Sequence, residues 1–309
     1  MGQAVFAEQQ IQHNAQLAQA TLDRTLQDPA LEGVDSQLHG SQPGASQPYA
    51  SKLLDTSHLD LVIEAAGISH VGMVRAHNED SLTLLADVGC YVLADGMGGY
   101  NAGEVASAIA VDAVGTYLSG FKDSLLNNPD PDPVSAIADA IESANRRIIE
   151  TGALRPECLG MGSTVVALML LGEKLWYGHV GDSRLYCLRD GQIQQLTRDH
   201  SVGQEMTDAG VMSKDQARQY QGRGILTRAL GVEPDVRPDV GCTNLQVGDV
   251  FVLCSDGLSD MLADQKIAEI IQRRRNTSCH TIALALQAEA LAAGGTDNVS
   301  ALILRCVAQ

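Results

Sequence analysis

Four apolar runs of strand length, each with an aspartate at one end, are the feature that most restricts this 309-residue chain. "CYVLADG" runs into Asp95, "FVLCSDGL" into Asp256 and "YGHVGDSR" into Asp182, and Asp297 precedes "NVSALIL". Glu79 and Asp80 precede a further run that starts at Ser81. One Asp-Gly pair is an ordinary turn. The joint pattern is different, because strand ends along one edge of a layered sheet converge in space. Unpaired carboxylates gathered there repel and raise one another's pKa. Divalent cations remove that penalty, and all-oxygen donors suit hard ions such as Mg²⁺ or Mn²⁺. Neither an HExxH pattern nor a Cys/His cluster points to zinc.

Around these runs the hydrophobic period switches repeatedly. "LVIEAAGIS", "STVVALMLL", "KLWYGHVGD", "RLYCLRD" and "QIQQLT" read as strands, with "RDG" at 189–191 as a hairpin turn. Val105, Ile109, Ala113 and Tyr117 mark a helix face over 104–117. A second helix opens at Asp132, a good N-cap, with Pro133 in the first helical position. Its stripe is Val134, Ile137, Ile141, Ala144 and Ile148. Two more helices are expected near 264–275 and 278–292, before a final strand in "NVSALILRCV". Strands joined by tight turns, with helices in pairs, predict an α+β fold of antiparallel sheets layered with helices, not a βαβ fold.

Three segments follow from the pattern. Residues 1–31 place Ile11, Ala15, Ala18, Leu22 and Leu26 on one side of an amphipathic helix. Residues 32–58, with "HGSQPGASQPYAS", have the composition of a flexible linker. Residues 59–309 form the globular domain, in which the polar, glycine-broken stretch 201–225 resembles a surface flap. A net charge of −17 argues against nucleic acid or anionic membrane as a general partner. No stretch reaches the apolar length of a membrane span, about 20 residues. Seven cysteines form no CxxC pair, so reduced core thiols in the cytoplasm are expected.

The glycines after Asp95, at 96, 98 and 99, are expected to let a cation, water and backbone approach the carboxylate. The competing reading, a phosphate-cradling loop, lacks both GxGxxG and the lysine of a P-loop.

"GMVRAHNED", "VLADGMGG", "GSTVV", "HVGDSR", "LTRDHS", "LTRALG", "VLCSDGL" and "GGTDNVS", in that order over roughly 64–306, resemble the bacterial form of the metal-dependent protein phosphatases, the type 2C serine/threonine phosphatases. The resemblance implies an α/β-β/α sandwich of two antiparallel sheets flanked by helix pairs. It implies hydrolysis of phosphoserine and phosphothreonine by a hydroxide bridging two Mg²⁺ or Mn²⁺ ions. By motif, Asp95 should bridge the ions, Gly96 should offer its carbonyl, and Asp256 and Asp297 should complete the set. Glu79 and Asp80 match a pair that holds the ions mostly through water. Asp182 matches a weaker third ion site shared with Asp256. Arg75 matches the arginine that grips the substrate phosphate. Met97 stands where some relatives have a histidine that donates a proton to the leaving group. His77 and His200 lie near the motifs, and water in the cation shell is the other candidate donor.

The implied partners are phosphorylated proteins and a cognate serine/threonine kinase, with the N-terminal helix as a candidate docking element. A non-catalytic relative should have lost some of the carboxylates, and this chain keeps them all. Broad phosphatase action and service to one phosphorylated regulator are not separable by sequence.

Overall fold

The computed structural model describes residues 47–56, 61–98, 102–125 and 131–309. The helix expected in 1–31 and Gly99 lie outside them.

Period-2 apolar patterning builds two sheets, and their central strands sort side chains between two cores. Strands β1 (Gln47–Thr56), β2 (Leu61–His70), β8 (Arg184–Arg189), β9 (Gln192–Gln195), β11 (Val250–Cys254) and β12 (Val299–Ala308) form one sheet. Its order is β1-β2-β12-β11-β8-β9. The second runs β10-β7-β6-β4-β3, with β5 paired to β4. Its strands are β3 (Asp80–Leu85), β4 (Cys90–Met97), β5 (Gly162–Ser163), β6 (Val165–Leu171), β7 (Lys174–Val180) and β10 (Asp239–Asn244). Every pairing is antiparallel.

Tyr91 and Leu93 of β4 pack between the sheets with Phe251, Leu253, Leu302 and Leu304. Their neighbours Cys90, Val92 and Ala94 face helices α1 (Ala102–Ser124) and α2 (Pro133–Leu154). On the other side, Val252, Cys254, Ala301 and Ile303 face α6 (Asp264–Arg273) and α7 (Cys279–Ala292). The result is the expected four-layer sandwich, helices–sheet–sheet–helices. Six of the seven free cysteines are buried, and Cys242 is exposed.

Several local readings hold for the reasons that suggested them. Asp132 caps α2, accepting hydrogen bonds from the N–H groups of Val134 and Ser135. The hairpin turn at Asp190 and Gly191 has φ of 49° and 79°, the paired positive angles that suit the twist of flanking strands. The expected flap holds two short helices, α3 (Val202–Asp208) and α4 (Lys214–Gln219).

Two readings are corrected. The buried face of α1 is Ala102, Ala106, Ala110, Val114 and Leu118, together with Ala113. Val105 and Ile109 are only partly buried, and Tyr117 is exposed. Small residues let α1 lie close to its sheet and to α2, so helix packing favours a stripe that hydrophobicity alone underrates. The second correction concerns 32–58: residues 47–56 form β1, paired along β2 from Gln47 opposite Ser69 to Thr56 opposite Leu61. An edge strand is held by backbone bonds, so it tolerates Pro and polar residues that read as linker.

Deleting residues 1–58 therefore strips β1 from the sheet and leaves the β2 edge bare. Its melting midpoint should fall several degrees below that of a chain lacking only residues 1–46. Equal midpoints in a thermal melt would show that β1 adds nothing to the sheet.

Candidate active site

At one end of the sandwich the inter-sheet face turns from apolar to polar. Along β4, Asp95 follows Tyr91 and Leu93 on that face. Asp80 opens β3 and is paired in register directly opposite Asp95. From the other sheet come Ser255 after β11, Asp256 at the start of a short helix α5 (Asp256–Ser259), and Asp297 and Asn298 before β12.

A cavity of about 610 Å³ opens here, with Arg75, Glu79, Asp95, Asp182, Asp256 and Asp297 on its wall. All the expected site residues except Asp80 line it, Gly96 included. Asp80 sits behind, buried, with Oδ2 accepting the Ser255 hydroxyl at 2.8 Å and Oδ1 without a hydrogen-bond partner.

The charges are poorly compensated. Burial, then the neighbouring Asp80, Asp256, Asp182 and Asp297, push the Asp95 carboxyl well above its ordinary range. Burial and then Asp182 and Asp297 do the same to Asp256. Burial raises Asp80 to about 6 against hydrogen bonds from Ser300 and Ser255. Asp182 rises to about 7 through burial and the charge of Asp199. Arg75, from the loop between β2 and β3, donates from Nη2 to Asp297 Oδ2 at 2.7 Å. This all-oxygen set fits divalent cations, which would offset the repulsion.

The backbone that carries Asp95 is fixed by residues given no role above. Thr164 Oγ1 accepts the Asp95 N–H at 3.0 Å, and the Thr164 N–H donates to Asp95 O at 2.8 Å. The same hydroxyl lies 2.7 Å from Ser183 Oγ, beside Asp182, so Thr164 ties two carboxylate loops together. Ser255 and Asn298 do comparable work on the facing sheet. All four belong to the quoted motifs; Ser183, Ser255 and Asn298 each adjoin an aspartate in the sequence, whereas Thr164 had no such signal.

The backbone approach expected at the glycines after Asp95 is met at Gly96 and Gly98. A Cβ on Gly96 would lie 2.0 Å from Gly103 O, and one on Gly98 would lie 2.9 Å from the Ala102 Cβ. What they admit is the first turn of α1. The Glu79 carboxylate also meets this helix start, accepting the Gly103 N–H.

Neither His77 nor His200 lines the cavity; Met97 does. His200 is buried, stacked on His179 with ring centroids 4.5 Å apart. Its Nδ1 accepts the Gly181 N–H at 3.1 Å, so in the neutral ring Nε2 carries the proton, facing Asp239 Oδ2 at 3.3 Å. That tautomer leaves His200 no free lone pair for a cation; it stacks on His179, whose Nε2 meets Arg198 O at 2.8 Å. The flap rests on the segment after α5, with Arg218 donating to the carbonyls of Ser259 and Leu262 and Arg223 paired to Asp260 at 2.6 Å.

The family description of protein phosphatase 2C matches residues 67–290. The chain is 35% identical over 249 residues to the serine/threonine protein phosphatase PstP of Mycobacterium tuberculosis, covering 80% of this chain and 46% of that protein. It thus spans about half the length of that curated relative. It is 32% identical over 236 residues to the serine/threonine phosphatase stp of Listeria monocytogenes, covering 75% of this chain and 92% of that one. Among solved structures, the M. tuberculosis phosphatase PstP/Ppp superposes with a TM-score of 0.71 at 35% identity, covering 79% of this chain and 98% of the other. The PstP catalytic domain in complex with two manganese ions gives 0.70 at 36% identity, covering 80% and 99%.

The raised carboxyls set a sign for the pH dependence of the cation-free protein. With folded pKa values above the unfolded 3.8 of Asp, the native state binds more protons, so stability falls as pH rises through the folded values. In chelator, the melting midpoint should fall from about pH 5 to about pH 8, and added Mn²⁺ should raise it more at the alkaline end. Asp95→Asn should raise the chelator midpoint and blunt the Mn²⁺ gain. A midpoint in chelator that is flat or rising over this range, with no response to Mn²⁺, would contradict the reading.

Proposed function

The chain belongs to the protein phosphatase 2C family, and on that premise we propose that it is a metal-dependent protein serine/threonine phosphatase hydrolysing phosphoserine and phosphothreonine. The observation that carries this is the convergence of Asp95, Asp182, Asp256, Asp297 and Glu79 on one cavity with Arg75.

Asp95, the Gly96 carbonyl, Asp256 and Asp297 would hold two Mg²⁺ or Mn²⁺ ions, with Glu79 and Asp80 acting mostly through water. Asp182, with Asp256, would hold a weaker third. When bound, such ions lower the pKa of water and neutralise phosphoryl oxygens during in-line attack. The chain's own part is to bind and orient. Arg75 offers a planar fork of donors suited to a phosphate. Thr164 holds Asp95 by its backbone, which fixes where the carboxylate points. Among the described residues no serine or cysteine lines the cavity, and in this reading water is the nucleophile and no phosphoenzyme forms. No histidine among the described residues lines it either, and the proton for the leaving alkoxide is assigned to water.

Phosphorylated proteins are the substrates in this reading, a serine/threonine kinase is the opposing enzyme, and residues 1–31 dock a partner. The cytoplasm is the proposed compartment, supported by seven free cysteines. No helix among the described residues is long and apolar enough to cross a membrane. Residues 201–225 act as the flap beside the site, and 59–309 together with β1 as the catalytic domain.

Turnover of p-nitrophenyl phosphate or a phosphothreonine peptide should need Mn²⁺ or Mg²⁺. Full activity in excess chelator would sink the mechanism. Asp95→Asn should cost on the order of 10²–10³ in rate or more, and Asp182→Asn much less. Similar small losses in both would contradict the division of roles. Arg75→Ala should raise KM, with Mn²⁺ affinity by calorimetry retained. Weaker Mn²⁺ binding at unchanged KM would make Arg75 a structural residue instead.

A further inference from the structure

We infer that Asn298 is the positioning residue that sets the phosphate-gripping loop, and with it Arg75, over the site. The inference rests on the proposed role of Arg75.

The loop from 71 to 79 joins β2 to β3, and residues 73–77 are exposed. Met73 and Val74 are 67% and 68% exposed, so no apolar anchor holds its middle. Arg75 does not anchor it either: its side chain is about half exposed and, among the described residues, bonded only to Asp297, itself a site carboxylate. Besides Asn78 to Ser69 and the Gly96 N–H to Glu79 O, the loop is held by hydrogen bonds to the turn before β12.

Asn298 supplies most of them. Its Nδ2 donates to Val71 O and His77 O, both at 2.9 Å, and its Oδ1 accepts the Glu79 N–H at 2.7 Å. One amide thus closes both ends of the loop. Its orientation is not ambiguous, because carbonyls only accept and a backbone N–H only donates. The residue is 4% exposed, so water does not compete for these bonds. Pairing of Val299 with His70 brings it beside the loop's first residue. Two further contacts agree: Met73 N–H donates to Gly295 O at 2.7 Å, and a Cβ on Gly72 would lie 2.1 Å from Asp297 O.

Asp95, Asp256 and Asp297 lie outside this loop, and Glu79, its last residue, acts on the cations mostly through water in the proposed reading. Loosening the loop should therefore weaken the phosphate grip far more than cation binding. Aspartate at 298 keeps an acceptor for Glu79 but sets an oxygen against the Val71 and His77 carbonyls. Serine is too short to reach all three.

The test is a double-mutant cycle. Asn298→Asp and Asn298→Ser are each made in the wild-type and the Arg75→Ala backgrounds, with full-length protein. KM for p-nitrophenyl phosphate and Ki for inorganic phosphate are read with Mn²⁺ in excess. Mn²⁺ affinity is read by calorimetry, and hydrogen exchange of 71–79 in chelator. In the wild-type background KM and Ki should rise about tenfold, the loss expected for one misaligned charge-assisted contact. In the Arg75→Ala background they should change less than about twofold. Mn²⁺ affinity should hold, and exchange in 71–79 should quicken. The serine variant serves if the aspartate variant melts below the assay temperature. Equal rises in both backgrounds, no rise in either, or lost Mn²⁺ affinity at unchanged KM would overturn the positioning role. Arg75→Ala with unchanged KM and Ki would instead overturn the phosphate role of Arg75 itself.

Discussion

Like charges forced together at the open end of a two-sheet sandwich are the constraint on which this structure turns. The inter-sheet core is apolar through Tyr91, Leu93, Phe251 and Leu253 and then ends abruptly in carboxylates. Asp80 faces Asp95 across one strand pair, and Asp256 and Asp297 come from the opposing sheet. Burial and repulsion from neighbouring carboxylates push protons onto Asp95 and Asp256, which is unfavourable for a protein at neutral pH. A fold that keeps such a cluster has a use for cations there, and the loss of stability is the local cost of the site.

The surrounding polar residues make sense as a frame for that cluster. Thr164 links the Asp95 and Asp182 loops, and Ser255 bonds Asp80 across the gap between sheets. Asn298 binds the Arg75 loop to the Asp297 turn. Buried hydrogen bonds of this kind persist because leaving any partner unmade is costly. His200 extends it outward, bracing Gly181 next to Asp182.

Where local reading went astray, the missing information was a neighbour. The glycines at 96 and 98 were read as room for a cation, water and backbone, but their spacing could not say that the backbone is the start of α1. The stripe chosen on α1 was the more hydrophobic one, whereas packing against α2 and a sheet selected alanines. Residues 47–56 have the composition of a linker yet pair with an edge that composition does not reveal.

The sequence by itself determined the layers and the site's inventory. Alternation along β4, β11 and β12 has to put one face between sheets and the other under helices, and an aspartate at a strand end has to emerge at an edge. The eight ordered motifs carried the family and its carboxylates. Only the tertiary structure decided which edges meet, and so that Asp80 lies behind the cavity wall while Glu79 lies on it. It also decided the roles of Thr164, Ser255 and Asn298. Hydrogen bonding joins residues as far apart in sequence as Asn298 and Val71, and no period or spacing along the chain records such a pairing.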